Sequence, residues 1–161
     1  MTNYFDISDR LVHSREGLAM QKYTLYLIND EVVEHYYHKS NLLYDFLRKY
    51  NSSMNDEVYM KQFDYITKEI PCEKLLDFIK QQVRSHFLIE AYRNELAIAS
   101  ESMSLRFRCD QKECMVISSS LHDVEKLLFE HLRAFHHAFF VVNQSENQFG
   151  WLSPLRKRMI L

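Results

Sequence analysis

Glycine is almost missing from this chain: only Gly17 and Gly150 occur in 161 residues. A phosphate-cradling loop, a dinucleotide fingerprint, a nucleophile elbow and the pyrophosphate loop of acyl-coenzyme A transferases all need clustered glycines, so that backbone can turn tightly or approach a ligand. None of these is encoded here. No apolar run approaches the roughly 20 residues of a membrane span, and the N-terminus lacks the basic-then-apolar order of a signal peptide. A cytosolic protein without membrane contact is expected. Cysteine is scarce too: Cys72, Cys109 and Cys114 are few for a disulfide framework and are expected to remain thiols in a reducing compartment. The net charge is −2, with Arg156, Lys157 and Arg158 as the one basic cluster. That balance lacks the electrostatic footprint of a nucleic-acid binder.

What is present is apolar and aromatic. With 47% hydrophobic and 26% charged residues, the chain is long enough for one well-cored domain and short for two. Tyr23–Ile28 is apolar on both faces and predicts a central strand. The stretch Asn29–Tyr50 predicts a helix: Asn29 or Asp30 caps it, Asp30 and Glu31 suit its first turn, and Arg48 and Lys49 its last. Wound at helical pitch, its apolar residues cover an arc of about 220°, far wider than the ~100° stripe that one-sided burial needs. One stripe, Val33, Tyr37, Tyr44 and Leu47, suits the chain's own sheet. The adjoining one, Val32, Tyr36 and Leu43 with His35 and Lys39 at its edge, suits either a partner helix or burial under the next helix of the same domain.

Residues 1–19 show weak periodicity and are expected to be a flexible extension. The codons of Arg15-Glu16-Gly17 can read as a purine-rich ribosome-binding run, which makes Met20 a second candidate start. Beyond Asn51-Ser52-Ser53, Asn55 is the expected cap of a second helix to about Thr67, on which Gln62 and Tyr65 share a face. Pro71 opens a third helix to about Val83, burying Leu75, Leu76, Ile79 and Val83. The stretch 86–99 is expected to be extended, and Ser104–Cys109 and Cys114–Ser118 predict a hairpin. Leu121–Arg133 returns to helix, and Ala138–Val142 and Gln148–Leu152 close the chain as strands. The sum is a single α+β domain over residues 20–161, with a mainly antiparallel central sheet flanked by about four helices.

Chemistry leaves a weak signature. His35 and His38, or Cys109 and Cys114 across their hairpin, lack the tight ligand pairs of a zinc site, so no metal is expected. A pairing of Cys72 with His136 or His137 has no motif behind it, and neither an enzyme nor a cofactor is expected. The alternative is a divergent acyltransferase-like enzyme or small-ligand domain, which saturable acetyl-coenzyme A binding would favour.

Taken in order, YTLYLINDEVVEHYY, QFDYIT followed by IP, and FGWLSP near the C-terminus resemble the sporulation inhibitor of replication (SirA) family of endospore-forming bacteria, from about Met20 to Arg158. The most specific piece is Gly150-Trp151-Leu152-x-Pro154. The resemblance implies a non-catalytic cytosolic protein that binds domain I of the replication initiator DnaA by laying a helix against it. It implies contacts at Val32, Tyr36, Gln62, Tyr65 and Pro154, with no direct contact to nucleic acid. Tyr36, Gln62, Tyr65 and Pro154 match in type. Val32 departs from the phenylalanine of the family pattern, a loss of about 1–3 kcal/mol at an anchor unless the cognate partner carries a larger residue there. Normal binding to a phenylalanine-adapted DnaA would count against such compensation.

Overall fold

The computed structural model describes residues 20–53, 55–83 and 86–154. The expected N-terminal extension and the basic cluster 156–158 lie outside them. Strand β1 (Gln21–Leu27) leads into α1 (Asp30–Tyr36), a 3₁₀ turn (Tyr37–Lys39) and α2 (Ser40–Ser52). Helices α3 (Glu57–Ile66) and α4 (Cys72–Gln82) follow. Four strands come next: β2 (Leu88–Tyr92), β3 (Glu95–Ala99), β4 (Ser104–Cys109) and β5 (Cys114–Ser118). A helical stretch then runs through α5 (Leu121–Val124), a π turn (Glu125–Phe129) and α6 (Glu130–Phe135) into β6 (Phe139–Asn143) and β7 (Gln148–Trp151). All seven strands join one antiparallel sheet in the order β2-β3-β4-β5-β1-β6-β7. This is the expected α+β architecture.

Strand β1 is interior, paired to β5 and β6, so its two apolar faces bury against two helical layers. On one face Tyr23 meets Phe129 of the π turn edge-on at 5.9 Å, and Phe78 of α4 packs against Phe135 of α6. On the other, Tyr26 packs on Phe63 of α3, Tyr44 of α2 stacks on Phe149 at 4.3 Å, and Tyr37 stacks on Trp151 at 5.4 Å. The π turn widens the helix by one residue, which lets the consecutive Leu127, Leu128 and Phe129 all be buried. Arg133 reaches back across it to Glu125, with Nη2 donating to Oε2 at 3.0 Å.

The expected helix over 29–50 is broken. Asn29 caps it as expected, its side chain accepting the Glu31 N–H at 3.1 Å. At the 3₁₀ turn, however, the Tyr37 carbonyl accepts the Trp151 indole N–H at 3.0 Å, and the Tyr37 hydroxyl donates to the Ser153 carbonyl at 3.2 Å. Both bonds link residues more than a hundred positions apart, and both pull Tyr37 toward the sheet. The second helix is capped by Asp56, one residue beyond the expected Asn55, through a 2.9 Å bond from the Val58 N–H.

A second correction concerns sulfur. Cys72 and Cys109, expected as thiols, form a disulfide with their Cα atoms 5.7 Å apart, although 37 positions separate them in sequence. The fold brings them together because Ile70 donates its N–H to the Gln111 carbonyl at 2.8 Å, setting the start of α4 beside the β4–β5 turn. Cys114 keeps a free thiol and is buried.

Candidate functional site

The break between α1 and α2 changes which residues face outward. Val33, Tyr37, Tyr44 and Leu47 are buried as the inner stripe requires. Of the outer stripe, Val32 and Leu43 are buried as well, while Tyr36 is 42% exposed; beside it Leu42, elsewhere on the apolar arc, is 49% exposed. The outer stripe is thus divided: part packs inside the domain and part remains open.

Helix α3 completes the other wall. Phe63 stacks on Tyr50 of α2 at 4.0 Å, and Tyr59 packs on Phe46 at 5.9 Å. Between these helices opens a cleft of about 590 Å³, lined by Val32, Tyr36, Leu42, Leu43 and Phe46 on one side and Lys61, Gln62, Tyr65 and Ile66 on the other. Its floor is aliphatic and its lip carries two exposed tyrosines.

The wall of α3 is held at a set distance from α1. The Tyr65 hydroxyl donates to the Glu31 carboxylate at 2.8 Å, and that anion raises the phenol's pKa above its ordinary value. The backbone closes the same seam, with the Asn29 N–H donating to the Ile66 carbonyl at 2.8 Å and Lys68 N–H to that of Leu27 at 2.7 Å. Lys68 also pairs with Asp30 at 3.0 Å, which lowers the Asp30 carboxyl pKa. At the lip the Lys39 ammonium lies 5.9 Å from the Tyr36 ring centroid, a cation over an aromatic face.

Of the residues singled out in the sequence, Val32, Tyr36, Gln62 and Tyr65 meet in this one cleft. His35 and Lys39 are exposed on the adjoining surface and do not line it. Pro154 is exposed as well, directly after the Ser153 carbonyl that anchors Tyr37, and stands outside the lining. Leu42, Phe46, Lys61 and Ile66 complete the cleft and were not picked out as contacts. Leu42 and Phe46 do fall on the wide apolar arc, so a signal existed for them; Lys61 had none.

The arrangement offers apolar area and a few polar handles. Among the described residues no group of three or more His, Cys, Asp or Glu side chains is placed to hold a metal ion, and no helix is long and apolar enough to cross a membrane. The family profile described as sporulation inhibitor of replication protein SirA matches residues 21–156. This chain belongs to that family. Among its relatives is the sporulation inhibitor of replication protein SirA of Bacillus subtilis (strain 168), 23% identical over 141 residues, an alignment covering 84% of this chain and 95% of the relative. The match takes in the cleft and Gly150-Trp151-Leu152, whose tryptophan holds the 3₁₀ turn next to Tyr36.

Proposed function

We propose that this chain inhibits initiation of DNA replication during sporulation by binding domain I of the initiator DnaA in the cytoplasm, through the cleft between α1–α2 and α3. The observation that carries the reading is the meeting of Val32, Tyr36, Gln62 and Tyr65 in one apolar cleft, on a chain of the sporulation inhibitor of replication family. An open cleft walled by two helices suits a row of side chains from a partner helix. The action is steric: the inhibitor occupies a helical surface on DnaA and performs no chemistry on it. Val32, smaller than the phenylalanine of the family pattern, leaves room at the floor for a larger partner side chain.

Tyr36 is the anchor, because a tyrosine offers large area at small entropic cost and brings a hydroxyl to the rim. Titrating the full chain into isolated DnaA domain I by calorimetry should show saturable binding. Tyr36→Ala should weaken it by about 2 kcal/mol, roughly 30-fold, while Leu88→Ala, at the exposed edge strand β2, should leave it unchanged. A folded wild type that does not bind would overturn the choice of partner. Full-strength binding by Tyr36→Ala would move the interface away from the cleft.

A further inference from the structure

All three cysteines of the chain meet at the end of the β4–β5 hairpin. Cys109 Sγ is bonded to Cys72 and lies 3.3 Å from Cys114 Sγ. Cys109 and Cys114 are each 1% exposed, whereas Cys72, at the first position of α4, is only partly buried. We propose that they form a thiol–disulfide exchange centre in which Cys109 is the shared sulfur, bonded to Cys72 in one state and to Cys114 in the other, with Cys72 as the sulfur that small dithiols and disulfides reach.

The backbone already suits the second state. Cys109 and Cys114 are opposite one another in the β4–β5 register. The Cys109 N–H donates to the Asn94 carbonyl at 2.9 Å, and the Cys109 carbonyl accepts from Asn94 Nδ2 at 3.0 Å, so its polar groups face away from β5. The next pair toward the hairpin loop carries a cross-strand backbone bond, Asp110 N–H to the Glu113 carbonyl at 2.8 Å. Cys109 and Cys114 therefore hold a non-hydrogen-bonded position, where opposed Cα atoms approach to about 4.5 Å, inside the span a disulfide bridges.

The exchange is balanced within the chain. Cys114 gives its proton to solvent and its thiolate attacks Cys109 Sγ. The Cys109–Cys114 bond forms as the Cys72–Cys109 bond breaks, and the electron pair leaves on Cys72 Sγ, which takes a proton from water. The leaving sulfur sits in the first turn of α4, where the helix dipole favours a thiolate. Reduction from outside follows another route: a dithiol attacks Cys72, the accessible sulfur, and Cys109 leaves as the thiolate and is protonated. The second thiol of the reagent then releases Cys72, and two electrons have passed from the dithiol to the protein.

The same site sets the rate. Burial, followed by the Asp110 and Glu113 carboxylates, raises the Cys114 pKa far above an ordinary thiol. Exchange is therefore slow near neutrality and accelerates about tenfold per pH unit as the thiolate fraction rises. In the second state α4 loses its covalent tie to the hairpin and keeps the Ile70–Gln111 backbone bond.

The test is disulfide mapping of the full chain held in glutathione redox buffers at pH 7 and pH 9, acid-quenched, alkylated and digested with trypsin, which cuts after Lys112 between the two hairpin cysteines. The expected result is a Cys72–Cys109 link that gives way in part to Cys109–Cys114, about a hundredfold faster at pH 9 than at pH 7. Cys72→Ser should carry Cys109–Cys114 as its link, and Cys114→Ser should keep Cys72–Cys109 at both pH values. The proposal is overturned if folded Cys72→Ser, checked by circular dichroism, alkylates at both remaining cysteines in oxidising buffer. It is equally overturned if the wild type yields only Cys72–Cys109, or no disulfide, under every condition.

Discussion

Trp151→Ala should destabilise the protein by about 3–5 kcal/mol, the usual cost of removing a buried tryptophan, and lower its melting temperature by roughly 10–15 °C for a domain of this size. Trp151 has no exposed surface. It stacks on Tyr37 at 5.4 Å, meets Phe140 edge-on at 5.0 Å, and donates its indole N–H to the Tyr37 carbonyl at 3.0 Å. Alanine removes the volume and the indole N–H that bonds the Tyr37 carbonyl, and the two losses add at one site. Trp151→Phe keeps a ring to stack and drops the hydrogen bond together with part of the indole volume, for about 2–3 kcal/mol. The phenylalanine variant should stay folded yet bind its partner more weakly, because the indole bond it removes anchors the turn beside Tyr36. Chemical denaturation followed by tyrosine fluorescence and circular dichroism measures the first effect, and the domain I titration measures the second. A Trp151→Ala protein that melts within a degree or two of wild type would mean that the sheet-to-turn anchor does not hold the fold.

Reducing the Cys72–Cys109 bond should cost about 3–4 kcal/mol, the loop-closure entropy released to the unfolded chain by a cross-link spanning 37 positions. A melting temperature about 10 °C lower with a dithiol reductant than without it is expected. Cys72→Ala should melt between the oxidised and reduced values and lose only about 2 kcal/mol on reduction, since a Cys109–Cys114 link spans 5 positions and restrains the unfolded chain roughly half as much. Native contacts survive reduction: Ile70 still bonds Gln111, and Lys112 Nζ still bonds the Thr67 carbonyl at 3.1 Å. The effect should therefore fall on stability rather than on secondary-structure content. A wild type whose alkylation confirms full reduction but whose melting point is unmoved would show that the cross-link does not constrain the unfolded chain.

The secondary structure was legible where local chemistry decides it. The Cys109–Cys114 hairpin could be read from apolar runs flanking a polar four-residue loop, and the start of α1 from the asparagine that caps it. The end of the first helix was not, because nothing between Tyr36 and Ser40 breaks a helix locally. It is Trp151, more than a hundred positions away, that takes the Tyr37 carbonyl. The cleft was half legible for the same reason. A helical wheel shows an apolar arc too wide for one face, but it assumes a straight helix, and the kink decides that Tyr36 and Leu42 stay open while Val32 and Leu43 are buried.

From its sequence alone the chain determined an α+β domain with an interior strand at Tyr23–Ile28, its family, and the lack of the glycine loops on which phosphate and nucleotide chemistry depends. These follow from residue type and spacing, which act over a few positions. Only the tertiary structure decided the strand order, the broken helix, the wall that α3 builds opposite Tyr36, and the bonding of Cys72 to Cys109. Each of these depends on two segments arriving at the same place, and the closure of long loops leaves no local mark on the residues that will meet.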